Sequence, residues 1–215
     1  MTPAGPSARS ARPPIGHPGR GLAARLLLAA SAVVGSSSLA SAHPDIAIED
    51  RVTFLFRGAQ VTGIEETWTF DPNYSQSFLT DYKAERDGSI SAAGSKLIAG
   101  RIQPNLAEVR YFTYVSLDGR DLGNLPVRDF VATASDERLT FTFVVDLPAP
   151  VDPRRQALKL EIYDHDYYAA ILLADDNPVR FRNQKGISCE PRLREDIENA
   201  YFGDIYPQEI TLSCR

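Results

Sequence analysis

This 215-residue chain carries none of the short motifs that spell out catalysis. It has no G-x-S-x-G, no H-E-x-x-H and no cysteine beyond a single pair. No pair of acids stands out as a glycosidase couple. The sequence therefore predicts a protein that is not an enzyme. Long apolar runs are missing too: after residue 42 nothing approaches the roughly 20 residues needed to cross a bilayer of ~30 Å, so no transmembrane segment is expected in the mature chain. Internal repeats and low-complexity tracts are absent from the same region.

Basic residues are in short supply. The first 42 residues hold Arg9, Arg12, Arg20 and Arg25 and no acid, which leaves 19 of the 23 basic residues against all 28 acidic ones, a net charge of −9. Nucleic acid and anionic membrane surfaces both call for basic patches, so neither is an expected partner. The balance suits a protein that meets cations. Histidine is scarcer still, with His17, His43 and His165 in the whole chain.

What is present begins with a leader. Arg-, Pro- and Gly-rich residues precede an apolar run from Leu26 through Val34, which ends in Gly35-Ser36-Ser37-Ser38. Ala40-Ser41-Ala42 supplies the A-x-A pattern of a signal-peptidase site. Residues 1–42 thus read as a signal peptide, and the mature 43–215 reads as one secreted, periplasmic domain. Cys189 and Cys214 form an even pair downstream of that leader, which points to a disulfide. The other reading, a two-thiolate metal site, lacks a C-x-x-C spacing.

Alternation at a period of two marks strands at 46–56 and 61–70, a hairpin turning at Gly58. Asp71 and Pro72 then suit the N-cap and first turn of a helix over 72–83. Asp87-Gly88-Ser89-Ile90-Ser91 resembles the middle of an EF-hand loop. Lys83 and Gly94 would fall where oxygen donors are required, so it reads as a turn between helices rather than a calcium site. Further helices are expected at 92–102 and 104–110. Strands follow at 111–117, 127–133, 139–145, 158–163, 169–173, 179–182 and 209–213, with Asp118-Gly119 as a turn and 148–153 as a Pro-rich connection. The stretch 192–203 reads as polar and irregular. The fold class is mainly β: an immunoglobulin-like antiparallel β-sandwich with a small helical insertion at about 72–110. Trp68, Phe70, Tyr74, Tyr111, Phe112 and Tyr114 read as core, and Asp175-Asp176-Asn177-Pro178 as a turn.

Cleavage after Ala42 would expose His43 as a terminal residue with a free amine (pKa ~7.7–8.0) and an imidazole (pKa ~6.5), both easily deprotonated near neutral pH. The two nitrogens can chelate one ion. Pro44 has no amide N–H, which blocks the binding mode that uses deprotonated backbone amides. Asp45 and His165, the latter with Asp164 or Asp166, are the candidate remaining ligands. Mixed nitrogen and oxygen donors suit zinc, nickel or cobalt, and copper by raw affinity.

His43-Pro44, W-T-F-D-P-N-Y-S at 68–75, D-G-S-I-S at 87–91, Y-F-T-Y at 111–114, Y-D-x-x-Y-Y at 163–168 and L-A-D-D-N-P at 173–178 occur in that order. In these elements the chain resembles the domain-of-unknown-function family one-thousand-seven, whose members carry the label of periplasmic component of an uncharacterised ABC-type transport system. That family tends to begin His-Pro-His, where this chain has Asp45 in third place. The resemblance implies a periplasmic accessory protein of a zinc, nickel or cobalt transport system, with a membrane transporter or permease as partner. The alternative is a β-sandwich interaction module that docks on an envelope transporter or partner without metal.

Overall fold

The computed structural model describes residues 44–82 and 87–215. The expected signal peptide and His43 lie outside them. Two β-sheets pack together, with two helices added. Ile46–Gly58 (β1) and Gln60–Phe70 (β2) form a long hairpin in which Arg57 faces Gln60 across Gly58 and Ala59. Gly58 adopts φ 65°, a left-handed value that a Cβ would penalise. Val127–Ser135 (β5) and Arg138–Val151 (β6) extend this sheet in the order β5-β6-β2-β1. The second sheet runs in the order β10-β11-β7-β3-β4. Its strands are Cys189–Glu195 (β10), Gln208–Cys214 (β11), Leu158–Ile162 (β7), Thr113–Leu117 (β3) and Arg120–Asp121 (β4).

The sheets are not wholly antiparallel. Ala169–Leu173 (β8) and Val179–Gln184 (β9) both pair in parallel with β1, one after the other along the same edge. Pairing passes between them through Ala174 N–H to Asp50 O and Val52 N–H to Pro178 O, both 2.8 Å. Asp50 lies at that handover.

Alternation builds the core. Ile48, Val52, Phe54 and Phe56 of β1, Ile64, Trp68 and Phe70 of β2, and Leu139, Phe141, Phe143 and Val145 of β6 are buried together with Val115, Leu158, Leu160, Ile162 and Ile210 of the second sheet. Each buried aliphatic or aromatic side chain contributes roughly 1.5–3 kcal/mol. Trp68 meets Phe143 edge-on at 4.8 Å and Phe112 at 5.9 Å, centroid to centroid.

The insertion contains Pro72–Asp81 (α1) and Ala92–Glu108 (α2). Asp71 caps α1 as expected: one of its oxygens accepts the Tyr74 amide at 3.0 Å and the other accepts Ala47 N–H of β1 at 3.1 Å. A buried serine pins each helix to the first sheet, Ser75 accepting from Leu139 N–H and Ser95 from Ala132 N–H.

Several sequence expectations need correction. One helix, not two, spans Ala92–Glu108 with Pro104 inside it. Burial of Ile98 and Ala99 and packing of Ile102 and Leu106 on the core outweigh the lost hydrogen bond. β3 begins at Thr113, because Arg110, Tyr111 and Phe112 all take positive φ (57°, 52° and 53°). Pro148 and Pro150 belong to β6. The β2–β6 register jumps from Val61↔Val151 to Gly63↔Asp146, so both prolines fall among bulged residues from which no ladder bond is required. The polar stretch after residue 189 holds β10. Tyr114 is not core: β3 alternates, with Thr113 and Val115 inward and Tyr114 on the outer face.

Cys189 and Cys214 are directly paired across β10 and β11 and are disulfide-bonded. Among the described residues no helix is long and apolar enough to cross a membrane.

Candidate functional site

Two features stand out, one between the sheets and one on the outer face of the second. Between them, Asp50 and Glu66 are both fully buried, at inward positions of β1 and β2. Glu66 accepts from the Trp68 indole N–H at 3.0 Å and from the Thr113 hydroxyl at 2.8 Å. Burial nonetheless pushes its carboxyl up to about 8, against the pull of those two donors. Among the described residues neither oxygen of Asp50 has a hydrogen-bond partner of good geometry. Burial, and then the neighbouring Glu66, push Asp50 well above the ordinary carboxyl range, while the amides of Thr67 and Arg51 and the Arg51 charge counteract them only in part. Glu66 is therefore held protonated near neutral pH, and Asp50 is shifted in the same direction. Sequence reading passed over them although the signal was there: positions 50 and 66 fall in phase with Ile48, Val52, Ile64 and Trp68.

The outer feature is a row across four strands. Arg194 of β10 faces Glu209 of β11, Glu209 faces Glu161 of β7, and Glu161 faces Tyr114 of β3. Like charges opposite one another repel, and cations intervene. Arg194 binds Glu209 through two bonds of 2.6 and 2.9 Å. The Lys159 ammonium lies 3.1 Å from Glu161, 3.5 Å from Asp196 and 3.7 Å from Glu209. The Asn199 amide, donating at 2.8 Å, holds the Asp196 carboxyl down at about 2.

Glu161, Asp196 and Glu209 are the one group among the described residues whose ligand atoms gather within 4.8 Å. An all-carboxylate set suits a hard cation rather than zinc, nickel or cobalt. Lys159 already stands among the three acids, so a divalent ion does not fit without expelling it. Neither Asp45 nor His165 belongs to this group. Both are exposed. Asp45 donates its amide N–H to the Tyr168 carbonyl at 2.9 Å. Asp164 spends both carboxylate oxygens on the amides of Asp166 and Ala169, at 3.1 and 2.9 Å, and so shapes the turn that carries His165.

Beside this network a cleft of about 400 Å³ opens on the outer face. Tyrosine rings build it. Tyr114 and Tyr163 stack at 4.4 Å, Tyr201 lies 4.7 Å from Tyr163, and His165 meets Tyr163 edge-on at 5.6 Å. The Arg110 guanidinium covers Tyr114 at 4.8 Å and is clamped by Asp121 at 2.6 and 3.0 Å. The left-handed turn at 110–112 is what turns Arg110 toward that ring while Tyr111 enters the core. Burial raises the Tyr163 and Tyr201 hydroxyls to about 12, with acidic neighbours reinforcing it: Glu161 for Tyr163 and Asp164 for Tyr201. Glu161 Oε1 and Ser116 Oγ, both on residues lining this cleft, are buried without a hydrogen-bond partner among the described residues.

A protein of Spirochaeta aurantia described as an uncharacterized 15.5 kDa protein in the trpE 3′ region is 28% identical over 104 residues, which are 48% of this chain and 74% of that protein. The crystal structure of AChBP from Bulinus truncatus covers 79% of this chain and 86% of its own at 11% identity with a TM-score of 0.37, a likeness too slight to carry an argument. The model of the family described as "Protein of unknown function (DUF1007)" matches residues 28–202, and the chain belongs to that family.

Proposed function

We propose that the mature chain is a periplasmic, non-enzymatic interaction module that docks on an envelope partner such as a membrane transporter, and that the tyrosine cleft is its contact surface. The observation that supports this reading is the outward cluster of Tyr114, Tyr163 and Tyr201. The solvent face of an antiparallel sheet is ordinarily polar. Large amphipathic rings gathered there around a cleft match the residue types that anchor interfaces. The test is capture of envelope proteins by the mature chain in chelator-treated buffer, beside the variants Tyr163→Ala and Tyr201→Ala. A partner held through chelation and lost by both variants supports the reading. A partner held equally by the variants removes the cleft from it.

A second reading keeps the metal. β1 and β8 run parallel with Ile46 opposite Ala169, so the chain enters β1 beside the turn that carries His165 and Asp166. That register favours a brace of the processed His43 terminus with Asp45 and His165 around zinc, nickel or cobalt. Native mass spectrometry of protein beginning at His43, compared with protein extended by one residue, tests it. Equal metal uptake by the two forms retires the brace.

A further inference from the structure

The cleft combines three properties that together select one kind of ligand. Its first property is aromatic: rings line it, and one of them already carries a guanidinium, the chain's own Arg110 over Tyr114. A delocalised cation over a tyrosine face is attracted by the ring's quadrupole. The second is charge. Asp121 and Glu161 line the cleft, and Asp164 and Asp166 act on its tyrosine hydroxyls. Lys159 lines the cleft too and Arg110 covers Tyr114 beside it, but both cations are committed, Arg110 to Asp121 and the Gly123 carbonyl, and Lys159 to three carboxylates, so that Asp164 and Asp166 leave the surroundings net acidic. The third is a pair of unused polar atoms on residues lining the same space, Glu161 Oε1 and Ser116 Oγ. A buried acceptor left without a donor costs free energy, which a hydrogen-bond donor from a ligand would recover.

We infer that the cleft receives a basic side chain, arginine or lysine, presented by a protein partner, its N–H groups donating to Glu161 Oε1 and Ser116 Oγ against the rings of Tyr163 and Tyr201. Carboxylate and phosphate ligands are disfavoured by the same acids. Neutral ligands meet the rings but leave the charge unanswered. This inference rests on the docking role above and supplies its chemistry.

The experiment uses the mature wild-type protein and three probes of similar shape: n-butylguanidinium, n-butylurea and pentanoate. Binding is followed by NMR shifts of the tyrosine ring signals. The cation is expected to saturate those signals with an affinity at least about tenfold above the urea, and pentanoate to leave them unmoved. Tyr201→Leu should weaken the cation about tenfold, with the near-UV signature of Trp68 reporting that the fold is kept. Equal binding of cation and urea overturns the inference, as does any saturable binding of pentanoate. Spermidine binding more tightly than a short arginine-containing peptide also overturns it, because the occupant would then be a free polyamine. The two proposals fail separately. Guanidinium binding with no cleft-dependent partner sinks the docking role alone. A cleft-dependent partner with no preference for the cation sinks the inference alone.

Discussion

The Thr113 hydroxyl of β3 donates to Glu66 Oε1 of β2 at 2.8 Å and so ties one sheet to the other by a hydrogen bond through the middle of the core. Thr113 also has its hydroxyl 2.7 Å from the Tyr111 carbonyl, at the end of the left-handed turn. A polar contact at this depth makes the packing of the sheets sensitive to the protonation of an acid.

That sensitivity gives a pH dependence with a defined sign. A carboxyl raised from about 4.5 to about 8 on folding binds more protons in the native state than in the unfolded one across that window. Its stabilising contribution is complete below the unfolded value and is lost as pH rises through about 8. Asp50, raised in the same direction, adds to the slope. Melting temperatures between pH 5 and 9 should fall with rising pH. Glu66→Gln should flatten the slope, and Asp50→Asn should raise the melting temperature at pH 8. A wild-type profile that climbs over this range, with both variants parallel to it, would contradict the assignment.

Lys159 stabilises three carboxylates at once, so its removal should cost more than an exposed pair and less than a fully buried one. Lys159→Ala is expected to destabilise by about 2 kcal/mol at pH 7, as read by urea denaturation. Millimolar calcium should restore part of the loss in the variant and do nothing for the wild type, since the freed carboxylates then offer an oxygen-only site. Calcium stabilising both proteins equally would show that the lysine was not the resident cation.

Asp71 satisfies two amides with two oxygens, one opening α1 and one on β1. Asp71→Ala should cost about 1–2 kcal/mol, at the upper end for a helix cap because a strand amide is orphaned as well. Hydrogen exchange should speed up at Tyr74 and Ala47 together. Faster exchange at Tyr74 alone would show the strand contact to be incidental.

Replacing Cys189 and Cys214 together by serine should lower stability by about 3.5 kcal/mol in the chain-entropy model, given a sequence separation of 25. Denaturation of the wild type with and without reductant should reproduce that difference, and the variant should ignore the reductant.

Much of the architecture was legible because apolar residues alternate cleanly in β1, β2, β6 and β7. The hairpin at Gly58, the cap at Asp71 and the turn at Asp118-Gly119 followed from turn and capping chemistry. What misled were residues whose tertiary setting overrides local preference. Pro104 continues a helix because Ile98 and Leu106 pack on either side of it, and Pro148 is absorbed by a bulge. β10 was missed because four of its six exposed residues are Glu190, Arg192, Arg194 and Glu195, the charged side chains with which an edge strand avoids pairing with strangers, and a fifth is Pro191. The parallel course of β8 and β9 leaves no trace in a period of two. Of the candidate sites, the cleft was not legible as one. His165 stood out only as a metal ligand and Tyr163 only as the end of a strand and part of the 163–168 element, and Tyr114 was assigned to the core, since three left-handed residues in succession shift the phase of β3. Asp50 and Glu66 were in phase and went unnoticed, because an acid in a strand reads as solvent-facing by default.

The cystine between β10 and β11 closes off the segment from Glu190 to Ser213, including the turn that carries Tyr201 into the cleft. A protease that cuts within that segment therefore cannot release the C-terminal piece. The nicked product remains one particle of unchanged mass apart from a water, and separates into two only under thiol. One edge of the cleft can thus be severed without the last strand being shed from its sheet.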